Sequence, residues 1–351
     1  MPVVHQVRRL ARRPARALAE VAQTSWEIAP AHSAPVPPAL FLPDQLERIT
    51  SFSEFGSREI DLPKVRGGGE SVHAATRAFR LRDAFLIDGV LYKDDACLHL
   101  HPRTSRVPRL QVEREIGRAA LYCTFGGNRY FGQWLMDDCV AYPLAVAEGT
   151  AVTTAQPVNP HTRGYEDWLE MKPERCASVF LRDLVIFEDF AQNRSKHTRF
   201  RALGDKLLRR VGGAAPHPGV FIVRGQTGMR RVLRNELEIA ERLRDRRGFR
   251  IVDPTQADVP AMVAACAGAR MVVGVEGSGL MHGILPLAPG GGLLILQPPN
   301  RFSAIYKDLT DRDRQQFGFV VGSPEGEDFR VDAEEVERTL DLFAGPSAAG
   351  A

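Results

Sequence analysis

The stretch MVVGVEGSGLMHGILPLAPGGGLLILQP, residues 271–298, contains two apolar runs separated by a glycine-rich loop. The runs at 271–275 and 293–298 are apolar without alternation, which predicts strands that are buried on both faces of a sheet. The same order of short apolar run and helical pattern occurs earlier in the chain. Predicted strands lie at 220–224 and 249–253, and predicted helices lie at 231–247 and 259–267. Strands that alternate with helices in this way indicate a doubly wound α/β domain with a parallel sheet.

The N-terminal half has a more mixed pattern. Asp88-Gly89 between two apolar arms predicts a hairpin with a type I′ turn. A predicted buried strand at 120–125 is followed by a glycine break and a helix at about 131–147, and residues 178–190 are strand-like. We therefore divide the chain into a basic N-terminal arm with a Pro-rich linker (1–45), an N-terminal α/β domain (46–205), a C-terminal α/β domain (206–345) and a disordered tail (346–351).

Composition and charge exclude several classes of function. The numbers of basic and acidic residues nearly balance, with a net charge of +3, and this does not favour nucleic acid as a partner. The five cysteines form no C-x-x-C pair, which argues against zinc sites and disulfides and favours a reduced cytoplasm. No apolar run approaches the roughly 20 residues that span a bilayer. The basic N-terminus leaves two interpretations open, a solvated arm and an amphipathic helix on an anionic membrane, so we expect a cytoplasmic or membrane-peripheral protein.

The loop of Gly277, Ser278 and Gly279 follows a predicted strand and has the composition of a phosphate site. Backbone amides in such a loop approach a phosphate closely, and the N-terminus of the following helix favours the same negative charge. Glu276, at the end of the strand, is placed to accept hydrogen bonds from ribose hydroxyls. The alternative is close packing of helix on sheet, which also requires glycine.

Arg224 ends another predicted strand, at the sheet edge where the loop lies. A guanidinium there can bind a diphosphate through two parallel hydrogen bonds. Asn235, in the helix that follows, is expected to face inward. The alternative for Arg224 is a surface residue of an arginine-rich chain, and Arg230, Arg231 and Arg234 are weaker candidates for the same reason.

These C-terminal elements resemble glycosyltransferase family 61. Members of that family have a strand running into G-x-H-G-A-G-L, a short apolar helix, and P-G before a final apolar strand. This chain has G-V-E-G-S-G-L at 274–280 and P-G at 289–290. Glu276 stands at the position of the family histidine and Ser278 at that of the alanine, while the glycines and Leu280 are kept. The resemblance implies that this loop binds the donor together with Arg224 and Asn235. His282, directly after the loop, either contacts the donor or is structural.

The stretch NRYFGQWLMDD, residues 128–138, is similar to the N-x-Y-H-W segment of the same family, which an acidic position follows. Gln133 stands where the family has histidine, Trp134 fits the pattern, and Asp137 falls on the acidic position. The resemblance implies that Asp137 is the catalytic base, and helical spacing places it on one face with Gln133 and Trp134. We assign Gln133, Trp134 and Asp138 to the acceptor, with Trp134 stacking on a sugar ring. In the alternative, Trp134 is core and the two acids cap or pair.

The family resemblance also implies the architecture and the reaction. It implies a GT-B fold, in which two Rossmann-like α/β domains face a cleft and the C-terminal one holds a nucleotide-sugar. The implied reaction is an inverting transfer of a hexose or pentose to a saccharide or lipid-linked acceptor, in the synthesis of a capsule or other surface polysaccharide. It needs no metal or other cofactor, and Asp137-Asp138 is not a D-x-D metal pair.

Two other classes of function stay open from the sequence. A non-catalytic nucleotide-sugar-binding protein would keep the Glu276 loop without a catalytic role for Asp137. A dinucleotide-dependent oxidoreductase is the other alternative, although no G-x-G-x-x-G follows the first strand of the C-terminal domain.

Overall fold

The computed structural model describes residues 16–103, 112, 114–226 and 228–343. Residues 1–15 of the predicted membrane-contacting segment, which spans 1–23, and the whole predicted tail, 346–351, lie outside the described residues. The strands are β1 (Thr24–Ala29), β2 (His32–Pro35), β3 (Glu70–His73), β4 (Thr76–Ile87), β5 (Val90–Lys93), β6 (Ala96–His99), β7 (Glu115–Leu121), β8 (Thr150–Thr154), β9 (Glu174–Cys176), β10 (Ser178–Glu188), β11 (Val220–Ile222), β12 (Arg250–Val252), β13 (Met271–Val275), β14 (Gly292–Gln297), β15 (Gln316–Val321), β16 (Ser323–Glu325) and β17 (Asp328–Arg330).

The helices alternate with these strands through most of the chain. The α-helices are α1 (Arg58–Arg66), α2 (Phe125–Arg129), α3 (Phe131–Gln133), α4 (Cys139–Glu148), α5 (Pro160–Trp168), α6 (Arg194–Arg210), α7 (Glu236–Arg247), α8 (Val259–Cys266), α9 (Met281–Ile284), α10 (Lys307–Arg312) and α11 (Ala333–Phe343). Short 3-10 helices cover Leu18–Val21 and Ser278–Leu280, and a π-helix covers Trp134–Asp138.

The chain forms two compact units, and each has its own sheet. Unit 1 takes the described residues up to His32 together with His73–Phe200, and unit 2 takes Ser33–Val72 together with the described residues from Arg201 onwards. Both units mix helices with strands, so the predicted α/β class is confirmed. The domain limits that we expected from the sequence stay a prediction.

Unit 1 contains a mixed sheet with the strand order β6-β5-β4-β10-β7-β8-β9, and β1 pairs with β4 at its side. In this order, the neighbours β6, β5, β4 and β10 pair antiparallel. The neighbours β10, β7, β8 and β9 pair parallel. The predicted hairpin at Asp88-Gly89 is confirmed, because both residues have positive φ, as a type I′ turn requires. The core of the unit is formed by apolar side chains of its long strands, such as Leu81, Leu184 and Leu121.

Unit 2 contains a parallel sheet with the order β12-β11-β13-β14-β15, which confirms the predicted parallel arrangement. The strands β11, β13, β14 and β15 are buried throughout or nearly so, whereas the edge strand β12 is partly exposed. Side chains of the sheet pack with α7 and α11 in one apolar core. Because β11 and β13 are parallel neighbours, the chain segments after Ile222 and after Val275 leave the sheet at the same edge.

Two predicted boundaries are wrong, and both lie beside the candidate sites. The helix expected at 231–247 begins only at Glu236, because Leu233 bridges to Phe329 and Arg234 donates its backbone N–H to the same residue. The strand expected at 120–125 ends at Leu121, and the glycine pair that was expected to break the chain lies inside α2. In both places the backbone hydrogen bonds are satisfied by a different partner than the local pattern predicts.

Candidate functional site

The glycine-rich loop after β13 has a fixed backbone. Gly277 has φ +150°, a conformation that favours glycine, and its carbonyl accepts a hydrogen bond of 3.0 Å from the hydroxyl of Tyr306. A Cβ added to Gly277 would collide with the guanidinium of Arg224. The loop therefore lies directly against Arg224, as the sheet topology predicts.

Arg224 follows β11 and is held in place by its own backbone and side chain. Its peptide N–H and that of Gly225 donate to the carboxylate of Glu236 at 2.7 and 2.8 Å. Its guanidinium donates to the carbonyl of Met229 at 2.7 Å. Burial lowers the pKa of Arg224, while the charge of Glu236 acts in the opposite direction. Arg224 is thus a partly buried and oriented cation beside the loop.

Glu276 is buried and forms an ion pair with Arg231. The guanidinium of Arg231 also donates to the backbone carbonyl of Glu276 at 3.3 Å. The carboxylate that we expected to face a ribose is therefore engaged with an arginine that we had ranked as a weaker candidate. Its predicted contact with ribose stays a prediction.

Arg224, Arg231 and Arg301 form what we call the arginine cluster. Arg224 and Arg301 both contact Met229, at its carbonyl and its sulfur respectively. Burial, followed by the positive charges of Arg224 and Arg301, lowers the pKa of Arg231 to about 9. Arg301 lowers the pKa of Arg224 in the same way. The positive charges of the three guanidinium groups repel one another, and the carboxylates of Glu276 and Glu54, paired with Arg231 and Arg301, offset this repulsion only in part. An anion at the cluster would relieve the rest.

Sequence reasoning missed Arg301 and Tyr306 and undervalued Arg231. Arg301 follows β14, so it leaves the same sheet edge as Arg224 and Glu276. A count of the charged residues that follow each predicted strand would have identified it. No comparable signal marks Tyr306, because its contact with Gly277 comes from the path of the chain between β14 and α10.

The remaining predicted donor residues lie close to the loop in sequence but differ in exposure. Ser278 and Gly279 are partly exposed in the short 3-10 helix, whereas Leu280 and His282 are buried. Asn235 is not inside a helix but directly precedes α7, and its buried side chain exchanges hydrogen bonds with the backbone of Val331 at 2.8 and 3.3 Å. The hydrogen bonds of Asn235 therefore connect the start of α7 with the segment after β17.

In unit 1, Asp137 is bound by a fully buried lysine. Its Oδ1 accepts a hydrogen bond of 2.5 Å from Lys196 Nζ, which also donates to the carbonyl of Asp189 at 2.7 Å. The other oxygen, Oδ2, accepts no hydrogen bond from any residue that the structure describes. Asp137 lines a cavity of about 520 Å³ with residues of β6 and β7 and the segments that follow these strands. The free oxygen gives this carboxylate the capacity to take a proton from a ligand.

Asp138 has a different environment from Asp137. It is fully buried, and its Oδ1 accepts a hydrogen bond of 2.8 Å from the hydroxyl of Thr124, which itself caps α2 through the N–H of Gly127 at 2.9 Å. Burial raises the pKa of Asp138 well above its ordinary value. Gly127 lies so close to this carboxyl group that a Cβ there would collide with it. The structure thus places Asp138 inside the turn between β7 and α2.

Trp134 does not line the cavity of Asp137. Trp134 stacks on Phe131 and lines a separate cavity of about 90 Å³ beside β8. The side-chain oxygen of Gln133 is buried against Gly126 and has no hydrogen-bond partner among the described residues. For Trp134 the expectation of a face shared with Asp137 is wrong, because Trp134–Asp138 is a π-helix, in which the three- and four-residue spacings of an α-helix do not apply. For Gln133 it stays a prediction.

The described residues contain neither a candidate metal site nor a candidate membrane span. Within residues 16–103, 112, 114–226 and 228–343, no group of three or more His, Cys, Asp or Glu side chains is placed to hold a metal ion. In the same part of the chain, no helix is both long and apolar enough to cross a membrane.

Comparison with known proteins identifies the family. A comparison with curated proteins finds no match. The family model described as Glycosyltransferase 61 matches residues 36–294, which is most of the chain and includes Asp137, Arg224 and the Gly277 loop. Members of this family transfer a sugar from a donor to an acceptor. The chain therefore belongs to glycosyltransferase family 61 and is a glycosyltransferase.

Proposed function

We propose that the protein transfers a sugar, with inversion and without a metal ion, from a nucleotide-sugar to a saccharide or lipid-linked acceptor in the synthesis of a surface polysaccharide. The observation that carries this proposal is the arginine cluster at the Gly277 loop. A diphosphate is the part of a nucleotide-sugar that such a cluster recognises, since guanidinium groups bind phosphate oxygens through paired hydrogen bonds.

The donor diphosphate would lie between the arginine cluster and the loop. The amides of Ser278 and Gly279 add hydrogen-bond donors at a partly exposed position. The helix after the loop, α9, has only four residues, so its dipole contributes little. Glu276 acts as a positioning residue in this proposal, because its ion pair orients Arg231. As the glycosidic bond breaks, the guanidinium groups stabilise the charge that develops on the leaving diphosphate.

Asp137 is the base in the proposed reaction. An inverting transfer is a single displacement at the anomeric carbon, and a carboxylate takes the proton of the attacking hydroxyl. Lys196 fixes Oδ1 of Asp137 and leaves Oδ2 for that hydroxyl. The cations of the arginine cluster would supply the positive charge for which other transferases use a divalent ion, and activity in the presence of a chelator would test this point.

The overall arrangement belongs to the same proposal. We infer a GT-B architecture, in which unit 2 binds the donor and unit 1 binds the acceptor across a cleft. We also infer that the protein acts in the cytoplasm or at the inner face of a membrane, where nucleotide-sugars are made. The family resemblance supports the first point. The five cysteines without a C-x-x-C pair and the basic N-terminus support the second.

The test is the release of nucleoside diphosphate from a panel of nucleotide-sugars, measured with the wild type, Asp137→Asn and Asp205→Asn. Asp205 is an exposed acid of α6 and serves as the matched control. We expect Asp137→Asn to bind the donor but to lose about 10²- to 10⁴-fold in kcat, whereas Asp205→Asn stays at the wild-type rate. Thermal unfolding checks that the variant is folded. Donor binding without turnover by the wild type would favour the non-catalytic alternative.

A further inference from the structure

The cavity that contains Asp137 has mainly apolar walls. Its volume of about 520 Å³ lies within the range of small-molecule sites. The apolar lining includes Leu18 of the first 3-10 helix, Leu100 directly after β6, and residues of β4, β7 and β10, namely Phe79, Leu121 and Ile186. The lining also includes polar side chains, those of Arg16, His99, Thr124, Asp137, Glu188 and Asp189. Because the apolar part of the lining is larger, these walls favour a ligand that combines a polar head with an apolar part.

Exposed apolar side chains line the same cavity. Leu98, Phe125 and Phe190 are 41%, 41% and 67% exposed, and all three lie in its lining. Single exposed apolar residues are common on protein surfaces, but three at one cavity indicate a surface that a ligand covers. Their exposure costs free energy in the unliganded protein, because water contacts large apolar groups.

The polar groups of the cavity differ in their capacity to bind a ligand. Asp189 already receives two hydrogen bonds of 2.8 Å from Arg199 and one of 2.7 Å from Thr76. Oδ2 of Asp137, in contrast, accepts no hydrogen bond from the described residues. A ligand in this cavity would therefore meet an accepting carboxylate next to apolar walls.

We propose that this cavity binds the apolar tail of a lipid-linked acceptor, and that it places the acceptor hydroxyl at Oδ2 of Asp137. This inference rests on the proposed function, because it takes Asp137 as the base. It narrows the acceptor from saccharides in general to molecules in which a hydroxyl-bearing head is attached to a hydrocarbon chain.

The test measures the binding of methyl, butyl, hexyl and octyl glucosides to the full chain by calorimetry, without donor and below micelle-forming concentrations. We expect each pair of added methylenes to tighten Kd about tenfold until the cavity is filled. Phe190→Ser and Leu98→Ser should weaken this dependence on chain length. Val146→Ser is the matched control, since Val146 is 53% exposed on α4 and does not line the cavity.

The outcomes separate this inference from the proposed function. Equal affinities for methyl and octyl glucoside would overturn the inference, even if the protein releases nucleoside diphosphate from a donor. Binding to anionic phospholipid vesicles without any dependence on glycoside chain length would also overturn it and would assign the surface to a membrane. Alkyl binding that appears only after deletion of residues 1–15 would assign the cavity to the chain's own N-terminus. Dependence on chain length without turnover of any donor would contradict the proposed function alone.

Discussion

Two features of the structure favour glycine over any other residue type at position 277. The φ of Gly277, +150°, disfavours any side chain, and the guanidinium of Arg224 occupies the space where a Cβ would lie. The hydroxyl of Tyr306 also fixes its carbonyl. The absence of a side chain at Gly277 therefore lets the loop lie directly against Arg224.

We expect Gly277→Ala to lower the free energy of unfolding by about 1 to 3 kcal/mol, because it combines backbone strain with a steric collision. Arg224 must move, so the affinity for a nucleoside diphosphate should fall as well. Chemical denaturation and calorimetry measure the two effects. Gly279→Ala is the control for stability, since a Cβ there meets nothing closer than 4.0 Å. Equal stability of the two variants would show that Gly277 is under no such constraint.

Arg231 illustrates what a sequence leaves undetermined at the scale of one residue. In a chain with 46 lysines and arginines, a single arginine carries no signal of its own. Its place in the arginine cluster depends on the ion pair with Glu276 and on the positions of Arg224 and Arg301. Glu276 and Arg301 are distant from it in sequence and meet it only in the folded chain. Arg224 and the loop could be predicted because each follows a recognisable strand, and parallel strands bring such segments to one edge.

At the scale of single elements, the helical segment from Phe131 to Glu148 determines the environment of the acidic pair. Its π-helical part, Trp134–Asp138, directs Asp137 to the larger cavity and Asp138 to Thr124. Segments of π-helix occur frequently at functional sites. The two neighbouring carboxyl groups therefore have different environments. Asp137 faces a cavity that a ligand can enter, and Asp138 is buried in the turn between β7 and α2.

We expect Thr124→Val to destabilise the protein by about 2 kcal/mol or more. The variant keeps the shape of the side chain but removes the cap of α2 and leaves the carboxyl group of Asp138 without its hydroxyl partner. The measurement is equilibrium unfolding in urea. Thr198→Val, an exposed site on α6, should change stability by less than about 0.5 kcal/mol. A loss of donor turnover at unchanged stability would instead place Asp138 in contact with the acceptor.

Helix α1 carries a buried acid that makes stability depend on pH. Burial raises the pKa of Asp61 from 3.8 to about 6, and the charge of Lys64 opposes this only in part. Between these values the folded state holds a proton that the unfolded state releases. The free energy of unfolding therefore falls as the pH rises through this window.

We expect the wild type to lose about 1 to 3 kcal/mol more than Asp61→Asn between pH 4 and pH 7, because the variant cannot titrate at this position. Urea unfolding at several pH values measures the difference. Glu70→Gln, at an exposed position of β3, is the control and should keep the wild-type dependence in this window. Parallel curves for the wild type and Asp61→Asn would contradict the assignment.

At the scale of the whole molecule, the two units differ in how far their folds could be predicted. The parallel sheet of unit 2 follows from short apolar strands that alternate with helices, such as 271–275 and 293–298. The pairing of β4 with β10 could not be predicted, because it joins Thr76–Ile87 to Ser178–Glu188 across about ninety residues of chain. Contacts at such separation leave no local pattern, and the mixed sheet of unit 1 depends on them.

The proposed chemistry is divided between the units in the same way. The arginine cluster lies within unit 2, whereas Asp137 and Lys196 lie within unit 1. Donor binding should therefore respond to changes in the arginine cluster and be insensitive to changes at Asp137.

Thermal unfolding with nucleoside diphosphates tests the central claim, that the arginine cluster binds the donor diphosphate. At a ligand concentration of about a hundred times Kd, a ligand that binds only the folded state adds about 2.7 kcal/mol of stability. We predict that at least one nucleoside diphosphate raises the Tm of the wild type and of Asp137→Asn, and that Arg224→Ala combined with Arg231→Ala abolishes the shift. A shift that persists in the folded double variant, or the absence of any shift in the wild type across the panel, would contradict the account.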